Sequence, residues 1–66
     1  MQLIETVADL ALAMQNKLLV ALRKGDSNEL VTGIVCCFET EDGSGFNYNV
    51  SLHNGGKAFC VFTKLK

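Results

Sequence analysis

Proline is absent from this 66-residue chain, so no position is barred from a strand by a missing backbone N–H. Punctuation has to come from glycine, asparagine and aspartate. A surplus of charge is missing too. Six Lys and Arg stand against seven Asp and Glu, a formal net charge of −1, which leaves no electrostatic footprint for phosphate-backbone binding. The basic residues are also dispersed: Lys17, Arg23 and Lys24 cluster loosely, Lys57 falls in a turn, and Lys64 and Lys66 come after the last apolar run. No segment supplies the roughly 20 apolar residues that a membrane span requires. Glu5 and Asp9 near the start, with no basic leading region, argue against a secretory signal.

Cysteine is sparse as well. Three residues, Cys36, Cys37 and Cys60, cannot all pair within one chain, and adjacent cysteines in a strand are expected to point to opposite faces. They read as reduced thiols, which together with the missing signal favours the cytoplasm over a secreted disulfide scaffold. A single domain of this size hides only about 60% of the surface its unfolded form exposes. Without disulfides or metal, oligomerisation is the remaining way to gain stability.

What is present first is an apolar pattern over residues 3 to 24, with Gly25 after it as a stop signal. On a helix, Leu3, Ile4, Val7, Leu10, Ala11, Met14, Leu18, Ala21 and Leu22 fall on one broad face. Ala8, Leu12 and Leu19 form a flanking shoulder interrupted by Gln15. Glu5 and Asp9 lie toward the positive end of the macrodipole, and Lys17, Arg23 and Lys24 toward the negative end. The expectation is one long amphipathic helix with more apolar surface than a single core needs.

After Asp26-Ser27-Asn28 the composition turns β-branched and aromatic. Three strands are expected, from Glu29 to Thr40, Gly45 to His53 and Lys57 to Lys64, joined at Asp42-Gly43-Ser44 and Asn54-Gly55-Gly56. The fold class is therefore α+β, an N-terminal helix on a three-stranded antiparallel meander, in two layers and one domain spanning residues 1–66. The middle strand alternates most cleanly, with Phe46, Tyr48, Val50 and Leu52 facing the helix and Asn47, Asn49, Ser51 and His53 facing away. Continuing that face places Leu30, Thr32, Ile34, Cys36 and Phe38 inward on the first strand, and Phe59, Val61, Thr63 and Leu65 on the third. Val31, Val35, Cys37, Ala58, Cys60 and Phe62 are left on an outer face less polar than a monomeric meander normally presents. The first strand is expected at an edge, with few of the charges or prolines that discourage edge pairing.

Catalytic and cofactor chemistry finds no constellation. Cys36, Cys37, His53 and Cys60 lack the paired spacing of a zinc site. A Cys60 and His53 nucleophilic pair would be a shallow surface site without a pocket. Glu39, Glu41 and Asp42 read as charges that keep a hairpin tip soluble, since calcium loops space their oxygen ligands over about a dozen residues. No helix succeeds the glycines at 43, 45, 55 and 56 to make a phosphate loop. Tyr48 and Phe62, the candidate base-stacking aromatics, fall on opposite faces. No metal or cofactor is expected, and no enzymatic activity.

The expectation is a non-enzymatic interaction protein that self-associates as a dimer and acts as an adaptor or as an inhibitor covering a partner protein's surface. Small accessory proteins of phages and mobile elements are often of this kind. Leu12, Gln15 and Leu19 are the candidate helix-side contacts, and Val35, Cys37 and Phe62 the candidate sheet-side contacts. The alternative is a dimeric nucleic-acid-binding module that gathers Lys17, Arg23, Lys24, Lys64 and Lys66 from two subunits, and a small enzyme built around His53 and Cys60 stands third.

Overall fold

A computed structural model describes all 66 residues. The fold is α+β, with one short helix and a five-stranded mixed sheet in the order β1-β2-β3-β4-β5. The elements are β1 (Gln2–Leu3), α1 (Val7–Asn16), β2 (Leu19–Arg23), β3 (Leu30–Thr40), β4 (Asn47–Asn54) and β5 (Lys57–Lys64). β1 and β2 are parallel and joined through α1, whereas β2 to β5 form an antiparallel meander.

The long helix expected over residues 3 to 24 is thus corrected to a strand, a ten-residue helix and a second strand. Thr6 begins the helix: its backbone is extended and its hydroxyl accepts the Asp9 N–H at 3.1 Å, satisfying one of the free donors of the first turn. Lys17 ends it, with φ 54° and ψ 46°. The Lys17 N–H donates to Met14 O at 3.3 Å and the Leu18 N–H to Ala13 O at 3.0 Å, the bond pair of a Schellman terminus. The left-handed residue expected at Gly25 after the helix is therefore Lys17. Gly25, also left-handed at φ 58°, instead turns β2 towards β3. Past Lys17 the chain enters β2, a strand of pattern exposed, buried, buried, buried, exposed, with Val20 and Leu22 entirely within the core. The apolar width that looked excessive on one helix belongs to two elements that each bury a face in the same core.

The second turn is as the sequence suggests. Gly55 and Gly56 have φ of 60° and 84° between the paired Asn54 and Lys57, the two-residue primed turn whose twist matches the flanking strands. Asn54 Nδ2 also donates to Thr32 O at 3.2 Å and to Thr32 Oγ1 at 3.1 Å, tying the end of β4 to β3.

One irregularity decides which residues of β3 face inward. Val35 lies opposite Leu52 and Cys37 opposite Ser51, so β3 advances two residues while β4 advances one. Cys36 is the extra residue of a β-bulge, which reverses the facing of everything on one side of it. Beyond the bulge Phe38 turns inward opposite Val50, as expected. Before it the expectation is inverted: Val31, Gly33 and Val35 face the core, while Leu30, Thr32 and Ile34 face outward beside Arg23, Ala21 and Leu19 of β2. Phe46 also departs from its expected inward place, lying exposed in the loop that precedes β4.

The core gathers Ile4 from the segment after β1, Leu10 and Ala13 from α1, Val20 and Leu22 from β2, Val35 from β3, Tyr48, Val50 and Leu52 from β4, and Val61 and Leu65 from β5 and its tail. Phe38 and Tyr48 meet edge to face with ring centroids 5.9 Å apart. The sheet coils strongly around this core. The Gly25 N–H donates to Phe62 O at 2.7 Å, forming a bridge between the end of β2 and β5, and the Lys66 N–H donates to Glu5 O at 3.0 Å.

Candidate functional site

The coil gives the sheet an inner face filled by the core and an outer face open to solvent. On the outer face the register sets Leu3 beside Ala21, Leu19 beside Ile34, Ala21 beside Thr32, and Arg23 beside Leu30. Leu19 is 45% exposed and Leu30 50% exposed, with Leu3 and Ile34 half-buried. Arg23 is the one charge among them. On β4 the same face carries Asn47, Asn49, Ser51 and His53, and on β5 Ala58, Cys60, Phe62 and Lys64. Apolar surface is therefore concentrated on the β1 to β3 half, and polar groups on β4.

The expected contact residues separate on this framework. Leu19 lies on the outer face of β2, not on a helical shoulder with Leu12. Leu12 is exposed on α1 at 55%, and Gln15 is exposed on the same helix. Val35 is only 3% exposed, a core residue that no partner reaches without unfolding the sheet. Its placement on the outer face is corrected by the bulge one residue later. Cys37 and Phe62 are on the outer face, but toward the polar side of it. Leu30 and Ile34 were missed because their inward assignment assumed an unbroken alternation, and Leu3 because it was placed on the inward face of one long helix instead of on β1. Gly33 was the available signal, since a glycine inside a strand marks a bulge or a close backbone approach.

Around Ser51 the outer face dips into a concavity of about 250 Å³, lined by Cys37, Phe38, Glu39, Asn49, Ser51 and Cys60. Cys37 and Cys60 are the register partners of Ser51 on either side, and the Cys60 Sγ is 3.9 Å from Ser51 Oγ. All three cysteines are free and exposed. His53 sits between Ile34 and Ala58, one pair further along the sheet than Leu52, and no hydrogen bond joins it to Cys60. No group of three or more His, Cys, Asp or Glu side chains converges on one point.

The acidic residues after β3 are used locally. Asp42 Oδ1 accepts the Ser44 N–H at 3.0 Å and Oδ2 accepts from Asn47 Nδ2 at 2.9 Å. Hydrogen bonds from Ser44, from the Asn47 side chain and from the Ser44 backbone hold the carboxyl at about 2, below its usual 3.8. This carboxylate orders the first hairpin loop. Gly43 and Gly45, both with positive φ, belong to that loop. Among the dispersed cations, Lys24 Nζ lies 3.4 Å from Glu29 and Lys64 Nζ 3.1 Å from Asp26. Each pair is well exposed to solvent, where such bridges contribute little stability. No helix is long and apolar enough to cross a membrane.

No protein-family model matches the chain, nor does any curated protein or solved structure.

Proposed function

We propose that the protein is a non-enzymatic interaction module that self-associates as a symmetric dimer through the β1 to β3 half of its outer sheet face. The dimer then serves as an adaptor, or as an inhibitor that covers a partner protein. The observation that carries this reading is the apolar strip of Leu3, Leu19, Leu30 and Ile34, contributed by three adjacent strands and interrupted only by Arg23 among charged residues. Scattered single leucines on a surface require no explanation, but a contiguous set on a sheet does. Leu12, alone on α1, belongs to the ordinary kind.

Magnitudes favour the sheet over the helix as the contact. A specific interface hides about 800 Å² on each partner, which is about one-fifth of the 4140 Å² this chain exposes. The ten-residue helix offers one exposed leucine, Leu12, whereas the outer face of three adjacent strands offers Leu19 and Leu30 exposed and Leu3 and Ile34 half-buried. A formal net charge of −1 adds little repulsion between copies. Edge-to-edge pairing is the weaker route. β3 pairs with β2 over Leu30–Ile34 and with β4 over Ile34–Thr40, so the expected edge position holds only for its second half, and the exposed edges are the two-residue β1, that second half of β3 with Glu39 on it, and β5, which carries Lys57 and Lys64 at its ends.

Light scattering behind size exclusion over a range of concentrations tests the reading. The unaltered chain should approach the dimer mass as concentration rises. Leu19→Glu combined with Ile34→Glu places like charges on the strip and should give a monomer with an unchanged circular-dichroism spectrum. A monomer at every concentration for the unaltered chain, or a dimer that survives both charges, would reject this interface.

A further inference from the structure

Adjacent residues of a regular strand point to opposite faces, and Cys36 and Cys37 would do so if β3 were regular. The bulge changes this. Val35 is buried on the inner face opposite Leu52, and Phe38 returns to the inner face opposite Val50. Two residues lie between them where alternation has room for one, and both are exposed. Stepping outward from Val35 puts Cys36 on the outer face, and stepping outward from Phe38 puts Cys37 there too. The two side chains of the bulge share the side of the opposing Ser51. A vicinal pair of thiols therefore projects from one side of the sheet into solvent.

We propose that Cys36 and Cys37 form a two-thiolate site for a soft monovalent ion, copper in its +1 state. The coordination number selects the ion. Zinc in structural sites requires four donors, and no third His, Cys, Asp or Glu converges here. Soft thiolates favour Cu(I), which is satisfied by two sulfur ligands in a near-linear arrangement. Cys60, the remaining thiol, is separated from Cys37 by the whole of β4, two inter-strand steps of about 4.8 Å, and is not a ligand.

Binding involves no change of oxidation state. Each thiol loses its proton to solvent, two sulfur–copper bonds form, and one copper(I) with two thiolates leaves a bis-thiolate of net charge −1 and two released protons. Affinity consequently rises with pH. The site is open on its solvent side, so an ion can enter without any movement of the sheet. It lies on the same outer face two residues beyond Ile34, at the border of the apolar strip proposed for self-association, and its test does not rely on that reading.

The experiment titrates the reduced full chain, without oxygen and with a non-thiol reductant, into the coloured copper(I) complex of bicinchoninate. The absorbance should fall with an end point of one copper per chain. Cys36→Ser and Cys37→Ser should each abolish the competition while retaining the circular-dichroism spectrum of the parent, and Cys60→Ser should compete as the parent does. Three results would overturn the assignment: no competition by the parent, full competition by either bulge variant, or an end point of one copper per two chains, which would place the site between copies.

Discussion

Thr63 is buried to 1% exposure on β5, and its hydroxyl has no hydrogen-bond partner. It sits opposite Tyr48 and at the bridge to Gly25, where the coil of the sheet excludes water. A buried hydroxyl left unpaired costs about 1–3 kcal/mol, while the β-branched shape suits a strand. Thr63→Val keeps the shape and removes the polar group. The variant is expected to be more stable by about 1 kcal/mol, seen as a higher urea midpoint with an unchanged slope; a lower midpoint would show that the hydroxyl is satisfied in solution. The inward position of this residue was legible, because Phe59, Val61, Thr63 and Leu65 alternate without interruption. The orientation of Cys36 and Cys37 was not. Sequence alternation assigns a face only relative to a neighbour whose register is already known, and the bulge between Val35 and Cys37 breaks that relation.

At the scale of elements, β3 is the strand on which the fold turns, since its 11 residues pair first with β2, over Leu30–Ile34, and then with β4, over Ile34–Thr40. Gly33 lets it lie close against β4. A Cβ added there would come within 2.9 Å of His53 O and 3.1 Å of Leu52 Cβ, closer than packed atoms tolerate. Gly33→Ala forces β3 away from β4 and is expected to destabilise the chain by about 1–3 kcal/mol, measured by the loss of thermal and urea stability. A neutral result would mean that the two strands are farther apart in solution. The β3 to β5 meander was legible from turn residues and alternation; the division of residues 3 to 24 was not. Leu18, Leu19, Val20, Ala21 and Leu22 make a short continuous apolar run, and such a run fits a helix face and a buried strand equally well. The signals that separate them are local and weak: Thr6 three residues before Asp9 at the helix start, the polar Gln15, Asn16 and Lys17 at its end, and a left-handed lysine where glycine is usual. Tertiary pairing of Val20 with Gly33 and of Leu22 with Val31 then settles β2 as a strand.

Across the whole molecule, the order of strands leaves β1 and β5 at opposite edges, yet the coil brings the two ends of the chain together. The Lys66 N–H reaches Glu5 O, the Leu65 N–H donates to Phe46 O at 2.8 Å, and the Leu65 side chain is buried among the core residues. A small domain has little core to spare, so two residues outside any strand carry weight here. Removing Leu65 and Lys66 deletes one buried leucine and both of these backbone bonds. Loss of a buried leucine side chain alone costs about 2–5 kcal/mol, against a typical total of about 5–15 kcal/mol for a folded domain. The truncated chain is expected to be only marginally folded. Its amide exchange should quicken first at Ile4, whose N–H bonds to Ala21 O at 2.9 Å, and at Gly25, while Val50 and Leu52 at the centre of the sheet remain the slowest. This order comes from position, because the lost contacts hold the first and last segments together and leave the β3 to β4 pairing untouched. Exchange that accelerates uniformly over all strands would show instead that the sheet opens as one cooperative unit and that the closure has no separate stability.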